Sequence, residues 1–176
     1  MSKVILDMAM SLDGYIDDDG LYGWYFAPAA PSQAVIQELI SGIGAMIMGR
    51  ATFEEGNVDG GFAHDPYTPH RFVLTHQPPT APVVGPKSFT FVTDGIESAL
   101  RQARAAAGDK LVCISGGASV AQQYLKAGLI DELQLHIVPL VVGRGRRLLD
   151  VNAPLPLSVL RLVDSVGVTH VKYRVG

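Results

Sequence analysis

Residues 111–133, LVCISGGASVAQQYLKAGLIDEL, restrict the possible folds more than any other stretch of the chain. Leu111-Val112-Cys113-Ile114 is a short apolar run of buried-strand type. Ser115-Gly116-Gly117 then turns the chain. A helix follows, carrying Val120, Tyr124 and Leu125, and Gly128 stands where a helix C-terminus recruits glycine. A second strand begins near Asp131. Glycine has no Cβ, so the backbone at this turn can come close to a ligand. The helix that starts there presents free N–H groups and a positive dipole end. The turn therefore reads either as a phosphate cradle or as a plain strand–helix connection that needs glycine for packing.

The remaining length fits a single domain, residues 1–176, with enough chain for a sizeable core. Apolar residues make up 48% and charged residues 18%, the balance of a globular chain. A net charge of −3 gives no reason to expect nucleic acid or an anionic membrane as partner. A lone cysteine excludes an intrachain disulfide. No signal-peptide pattern opens the chain and no apolar run is long enough to span a bilayer, so a cytoplasmic protein is expected.

In chain order, residues 3–12 read as a strand buried on both faces. Val4, Leu6, Met8, Met10 and Leu12 share one face, and Ile5, Asp7, Ala9 and Ser11 the other. Asp7 is the anomaly, because a carboxylate inside a buried strand needs partners. It is either tied to neighbouring backbone or an arginine, or it faces a ligand. Asp13-Gly14 ends the strand. Asp17-Asp18-Asp19-Gly20 only superficially resembles a calcium loop, since the EF-hand spacing and its later glutamate are absent. Trp24, with Tyr22, Tyr25 and Phe26, is either core edge or a wall for a flat ligand.

A helix is predicted from Pro31-Ser32 to about Ser41, with Val35, Ile36, Leu39 and Ile40 inward and Glu38 outward. The strand at 45–48 ends in Gly49-Arg50-Ala51-Thr52-Phe53, which groups a glycine, a planar cation and a hydroxyl. Arg50 suits a phosphate or a structural salt bridge. Residues 54–70 read as a loop, with His64 and His70 solvated and no metal-site spacing. Strands are predicted at 71–75 and 89–92. Asp94-Gly95-Ile96-Glu97 fits a capping box for a helix that Gly108 ends. Residues 132–139 alternate as a strand, 141–147 form a glycine-rich basic loop, and 158–166 with 168–175 form an antiparallel hairpin around Gly167. Helices and strands alternate early and strands dominate late, which is the pattern of a three-layer α/β domain with a mixed sheet.

Six motifs in this order resemble the dihydrofolate-reductase-like fold. They are SLDGYI (11–16), MGRATFE (48–54), FVLTH (72–76), ISGGASV (114–120), LKAGLIDELQLHIVPLVVGRG (125–145) and VKYRV (171–175). More closely, they resemble the reductase domain of the riboflavin-biosynthesis deaminase-reductase and its stand-alone relatives. The deaminase zinc signature is absent, since Cys113 alone cannot supply it.

The resemblance implies a mainly parallel sheet with helices on both faces, NADPH as cofactor and a small heterocyclic substrate. The activity implied is NADPH-dependent reduction of a pyrimidine- or pterin-like heterocycle, resembling that of 5-amino-6-(5-phosphoribosylamino)uracil reductase. The alternatives are a non-catalytic NADPH-binding module and a dihydrofolate reductase proper. Gly49, Arg50 and Thr52 would hold cofactor phosphates. Leu74, Thr75 and His76 would meet the adenosine ribose and its 2′-phosphate. Ser115, Gly116, Gly117, Ala118, Ser119 and Val120 would cradle the pyrophosphate, with a cis peptide between Gly116 and Gly117. Ala9 would border the nicotinamide, and Met10, Trp24 and Phe53 the substrate. Folate reductases carry an acidic residue on the first helix that faces the pterin. Glu38 lies on the wrong face for that, so Asp7 and Asp13 are the candidate catalytic carboxylates. No metal is expected. A homodimer is expected, with the segment 133–142 as its interface.

Overall fold

In the computed structural model the chain forms one eight-stranded sheet of order β4-β3-β2-β5-β1-β6-β8-β7. The structure describes residues 1–16, 30–57, 62, 68–80, 83 and 87–176. The strands are β1 (Val4–Ser11), β2 (Ile43–Gly49), β3 (His70–Leu74), β4 (Phe89–Val92), β5 (Leu111–Ile114), β6 (Glu132–Val138), β7 (Leu157–Ser165) and β8 (Val168–Val175). The first six strands are mutually parallel; β8 runs antiparallel to both β6 and β7. The helices are α1 (Ala30–Gly42), α2 (Arg50–Gly56), α3 (Ile96–Ala107) and α4 (Ala118–Lys126).

The alternation of β1 sorts the core into two layers. Val4, Leu6, Met8 and Met10 pack with Ala99, Leu100 and Ala103 of α3 and with Val120, Tyr124 and Leu125 of α4. On the opposite face, Ile5 packs with Leu39 of α1, Ile43, Met46 and Cys113. Further along that face Phe53 of α2 packs with Met48 and Val73. Each such buried aliphatic side chain contributes about 1.5–3 kcal/mol. Helices thus cover both faces of a mainly parallel sheet, as the resemblance implied, and Val35, Ile36 and Leu39 form the inward stripe of α1.

Several local expectations are corrected. Residues 50–56 are helical, so the first three residues of the loop predicted over 54–70 belong to a helix; the segment is too short for a 3.6-residue period to appear, and Phe53 is its one buried residue. The N-cap of α3 is Gly95 at φ 97°, with no side-chain bond, so no capping box forms. Leu12, at the strand end, is exposed. His70 is not solvated: its Nε2 lies 2.7 Å from the Thr90 hydroxyl, and its ring packs on Phe72. β6 lies inside the sheet with Leu133 and Leu135 buried, while Val141, beyond its end, is exposed. The tetrad 17–20, the aromatic cluster around Trp24, and His64 lie outside the described residues. Among the described residues no helix is long and apolar enough to cross a membrane, and no His, Cys, Asp and Glu cluster could hold a metal.

Candidate functional site

Parallel strands deliver their following helices to one edge of the sheet, and three helix starts meet there. Gly49 N-caps α2, Gly95 N-caps α3 and Gly117 N-caps α4; none of the three ends has a side-chain cap. Their first-turn N–H groups therefore have no side-chain acceptor and point at common space. That space is a cleft of about 340 Å³ lined by residues of all three helix starts, by Leu74, Thr75 and His76, and by Arg146.

The glycines differ in what they do. The Gly49 N–H donates to the Gly116 carbonyl at 2.8 Å, which locks the ends of β2 and β5 together. A Cβ on Gly49 would lie 3.0 Å from Val120 Cγ2. Gly116 has φ +112°, and a Cβ there would press on Met8 Sδ at 3.1 Å. Both are glycine for the fold's own sake. At Gly117, with φ −77°, a Cβ would touch only Thr52 Oγ1 among the described residues, at an ordinary 3.5 Å. Nothing among the described residues requires glycine on that count, which fits a position kept open for a ligand. The peptide between Gly116 and Gly117 is cis, as expected.

Of the cofactor residues expected from the sequence, the cleft gathers Gly49, Arg50, Leu74, Thr75, His76, Gly117, Ala118, Ser119 and Val120. The Nε of half-exposed Arg50 donates to Glu54 Oε1 at 2.6 Å. The two ends of its fork have no protein partner among the described residues. Thr75 Oγ1 donates to the Gln77 carbonyl at 2.7 Å and holds the loop after β3. Thr52 stands beneath the Gly116-Gly117 turn, within van der Waals reach. Ser115 does not join the cleft: its N–H and its hydroxyl both donate to the Ile47 carbonyl. Gly116 and Ala9 also lie off the lining. Gly95 and Arg146 line the cleft although the sequence reading gave them no role. Gly95 was read only as part of a capping box. Arg146 stands in the basic loop, and nothing local to that loop says which part of the sheet it crosses.

The substrate-side expectations divide. Met10 is a core residue on the α3/α4 face, opposite Asp7 and Ala9, because neighbours in a strand point to opposite sides. Phe53 is 1% exposed and packs among Phe62, Phe89 and Phe91, so it is core and not a ligand wall. Asp13 accepts from the Ser11 hydroxyl and from the N–H groups of Val142 and Gly143. The Ser11 hydrogen bond, against the cost of burial and with help from the Gly143 and Val142 N–H groups, holds its pKa down to about 2. It clamps a loop and is a poor proton donor. Asp7 Oδ1 lies 2.8 Å from His136 Nε2. Glu38 is exposed and pairs with Arg161 of β7, at the edge of the sheet.

A family model, RibD C-terminal domain, matches residues 2–169. The chain belongs to the RibD C-terminal domain family. A relative of this RibD-type domain is the uncharacterized protein YwjB of Bacillus subtilis, 26% identical over 81% of this chain and 80% of its own length. Among solved structures, a putative riboflavin biosynthesis protein from Shewanella superposes with a TM-score of 0.80. It is 24% identical, and the match covers 99% of both chains. Dihydrofolate reductase from Enterococcus faecalis, complexed with NADP(H), superposes at 0.64 with 18% identity, covering 99% of this chain and 96% of that one. The fold of this RibD-type domain is thus dihydrofolate-reductase-like.

Proposed function

We propose that the chain is an NADPH-dependent reductase of a pyrimidine- or pterin-like heterocycle, of the kind that reduces 5-amino-6-(5-phosphoribosylamino)uracil in riboflavin biosynthesis. The observation that carries this reading is the cleft where three glycine-capped helix starts meet two arginines. Uncapped N–H groups and guanidinium forks are the chemistry of phosphate binding. The space beside Gly117 gives a pyrophosphate room that any side chain would reduce. Arg50, Thr75 and His76 are the groups for a 2′-phosphate, and Gly117 to Val120 those for the pyrophosphate. The nicotinamide supplies the hydride, and the protein supplies position and proton control. On the substrate side, Asp7 shares its face of β1 with Ala9 and is the carboxylate for ring N–H or amino groups.

The outward direction of Glu38 argues against a dihydrofolate reductase proper, because α1 then brings no carboxylate to a pterin. The same observation is what favours the second reading, a binding module that keeps the cofactor and has lost its chemistry. Spectrophotometric NADPH oxidation separates the readings. Turnover with 5-amino-6-(5-phosphoribosylamino)uracil and none with dihydrofolate is the expected result. Saturable NADPH binding without turnover on any pyrimidine or pterin would leave the binding module.

The chain also works as a homodimer in this reading. Strand β7 is the edge of the sheet and exposes Leu157, Val159, Leu160 and Leu162. An exposed apolar edge of this kind suits a second copy better than solvent.

A further inference from the structure

The glycine-rich segment after β6, residues 141–148, is fastened along its whole length. Asp13, in the turn after β1, accepts from the N–H groups of Val142 and Gly143 at 3.1 and 2.7 Å. The same turn meets the far end of the segment in an antiparallel bridge between Tyr15 and Arg147. There the Ile16 N–H donates to the Arg146 carbonyl at 3.1 Å, and the Leu148 N–H to the Gly14 carbonyl at 2.9 Å. The Arg147 guanidinium lies 4.8 Å from the centre of the Tyr15 ring. From α4, the half-buried Gln122 donates its amide to the Arg147 carbonyl at 2.7 Å. Leu148 is fully buried in the core on the α3/α4 face.

Amid these fastenings Arg146 is exposed and lines the cofactor cleft. A loop residue ordinarily loses conformational entropy when it closes on a ligand. Here the carbonyls of Arg146 and Arg147 are already bonded, so much of that ordering is complete before any ligand arrives. A guanidinium carries five donors, so Arg146 can keep a protein partner and still meet a phosphate oxygen.

Strand order says which part of a dinucleotide Arg146 meets. Across the sheet, β3, β2, β5 and β1 are successive neighbours. Thr75 and His76 follow β3, Arg50 opens α2 after β2, and Gly117 precedes α4 after β5. The turn that holds the 141–148 segment follows β1. Strands about 4.8 Å apart place the ends of β1 and β3 roughly 14 Å from one another. Arg146 therefore enters the cleft from the β1 side. Arg50, Thr75 and His76 stand on the other side, and the start of α4 lies between. A pyrophosphate held at the start of α4 is within the reach of a β1-side arginine, whereas a 2′-phosphate beside Thr75 and His76 belongs to the far side.

We propose that Arg146 is the pyrophosphate arginine of the cleft, and that Asp13 and Gln122 are positioning residues that hold it there through the 141–148 segment. Arg50 then sets the choice between NADPH and NADH, while Arg146 serves both alike, because both carry the pyrophosphate. Asp13 acts on the cofactor without touching it. The inference rests on the reading of the cleft as a dinucleotide site.

The test is calorimetric titration of the intact chain and its variants with NADPH, and with NADH as its competitor, with melting curves taken alongside. Arg146→Ala should weaken both dinucleotides about 10-fold, the worth of one charge-assisted hydrogen bond. Arg146→Lys should weaken them less, since it keeps the charge and loses the fork. Gln122→Ala removes one fastening; it should keep the wild-type melting temperature and weaken both dinucleotides about 3-fold, the worth of a neutral hydrogen bond. In the Arg146→Ala background neither Gln122→Ala nor Asp13→Asn should weaken them further, a result that general loss of stability would not give. Should Asp13→Asn not fold, the cycle with Gln122→Ala decides alone. Unchanged binding in Arg146→Ala, a loss confined to NADPH, or equal losses from Gln122→Ala with and without Arg146 would overturn the proposal while leaving the dinucleotide site in place. A wild-type chain that binds neither dinucleotide would overturn the reading of the cleft and this inference with it.

Discussion

Arg50 stands where α2 begins, with one guanidinium nitrogen on Glu54 and the remaining fork at the cleft. Removing that fork with Arg50→Ala should weaken NADPH by about 10- to 100-fold, the worth of a charge-assisted bond of about 1.5–3 kcal/mol. NADH should lose much less, and equal losses measured by fluorescence titration would leave a pyrophosphate or structural role. The neighbouring glycines should separate fold from ligand. Gly116→Ala places a side chain at φ +112° against Met8, so it should cost about 1–2 kcal/mol and lower the melting temperature by several degrees. Gly117→Val should leave the melting temperature nearly unchanged and abolish cofactor binding. Asp13 gives a pH signature. Its folded pKa of about 2 lies below the ordinary 3.8, so its contribution is present above pH 3.8 and is lost as pH falls through about 2. Asp13→Asn should therefore melt lower than the wild type at neutral pH, with the gap closing between about pH 4 and pH 2. A gap independent of pH would remove the ionised clamp.

Among the elements, α4 shows most clearly what the sequence could and could not reveal. Its C-terminus closes as expected: the Gly128 N–H donates to the Leu125 carbonyl and the Leu129 N–H to the Tyr124 carbonyl, with Gly128 at φ +66°. Gly128→Ala should cost about 1–2 kcal/mol in thermal unfolding, and Gly128→Asn less, because asparagine tolerates the left-handed region better. An unchanged melting temperature in both would remove the cap. Long or strongly patterned elements such as β1, α3 and the 111–133 unit were legible because burial imposes their period. α2 was not, since seven residues with one inward side chain carry no period. The split of Met10 from Asp7 was legible in the two-residue alternation of β1. The partner of Asp7 was not, because His136 is 129 positions away and only the register of β1 with β6 brings it alongside.

At the scale of the whole molecule, the parallel half of the sheet builds the cofactor edge and the antiparallel half closes the other side with β7. That edge carries the dimer expectation: Val159→Lys with Leu162→Lys should give a monomeric mass by light scattering without loss of fold. A monomeric wild type at micromolar concentration would withdraw the expectation. The cleft is the central claim, and a calorimetric titration of the wild-type chain with NADPH tests it most directly. Saturable binding of one NADPH per chain, lost in folded Gly117→Val, is the predicted result. No saturable binding, or binding that Gly117→Val leaves intact, would contradict it.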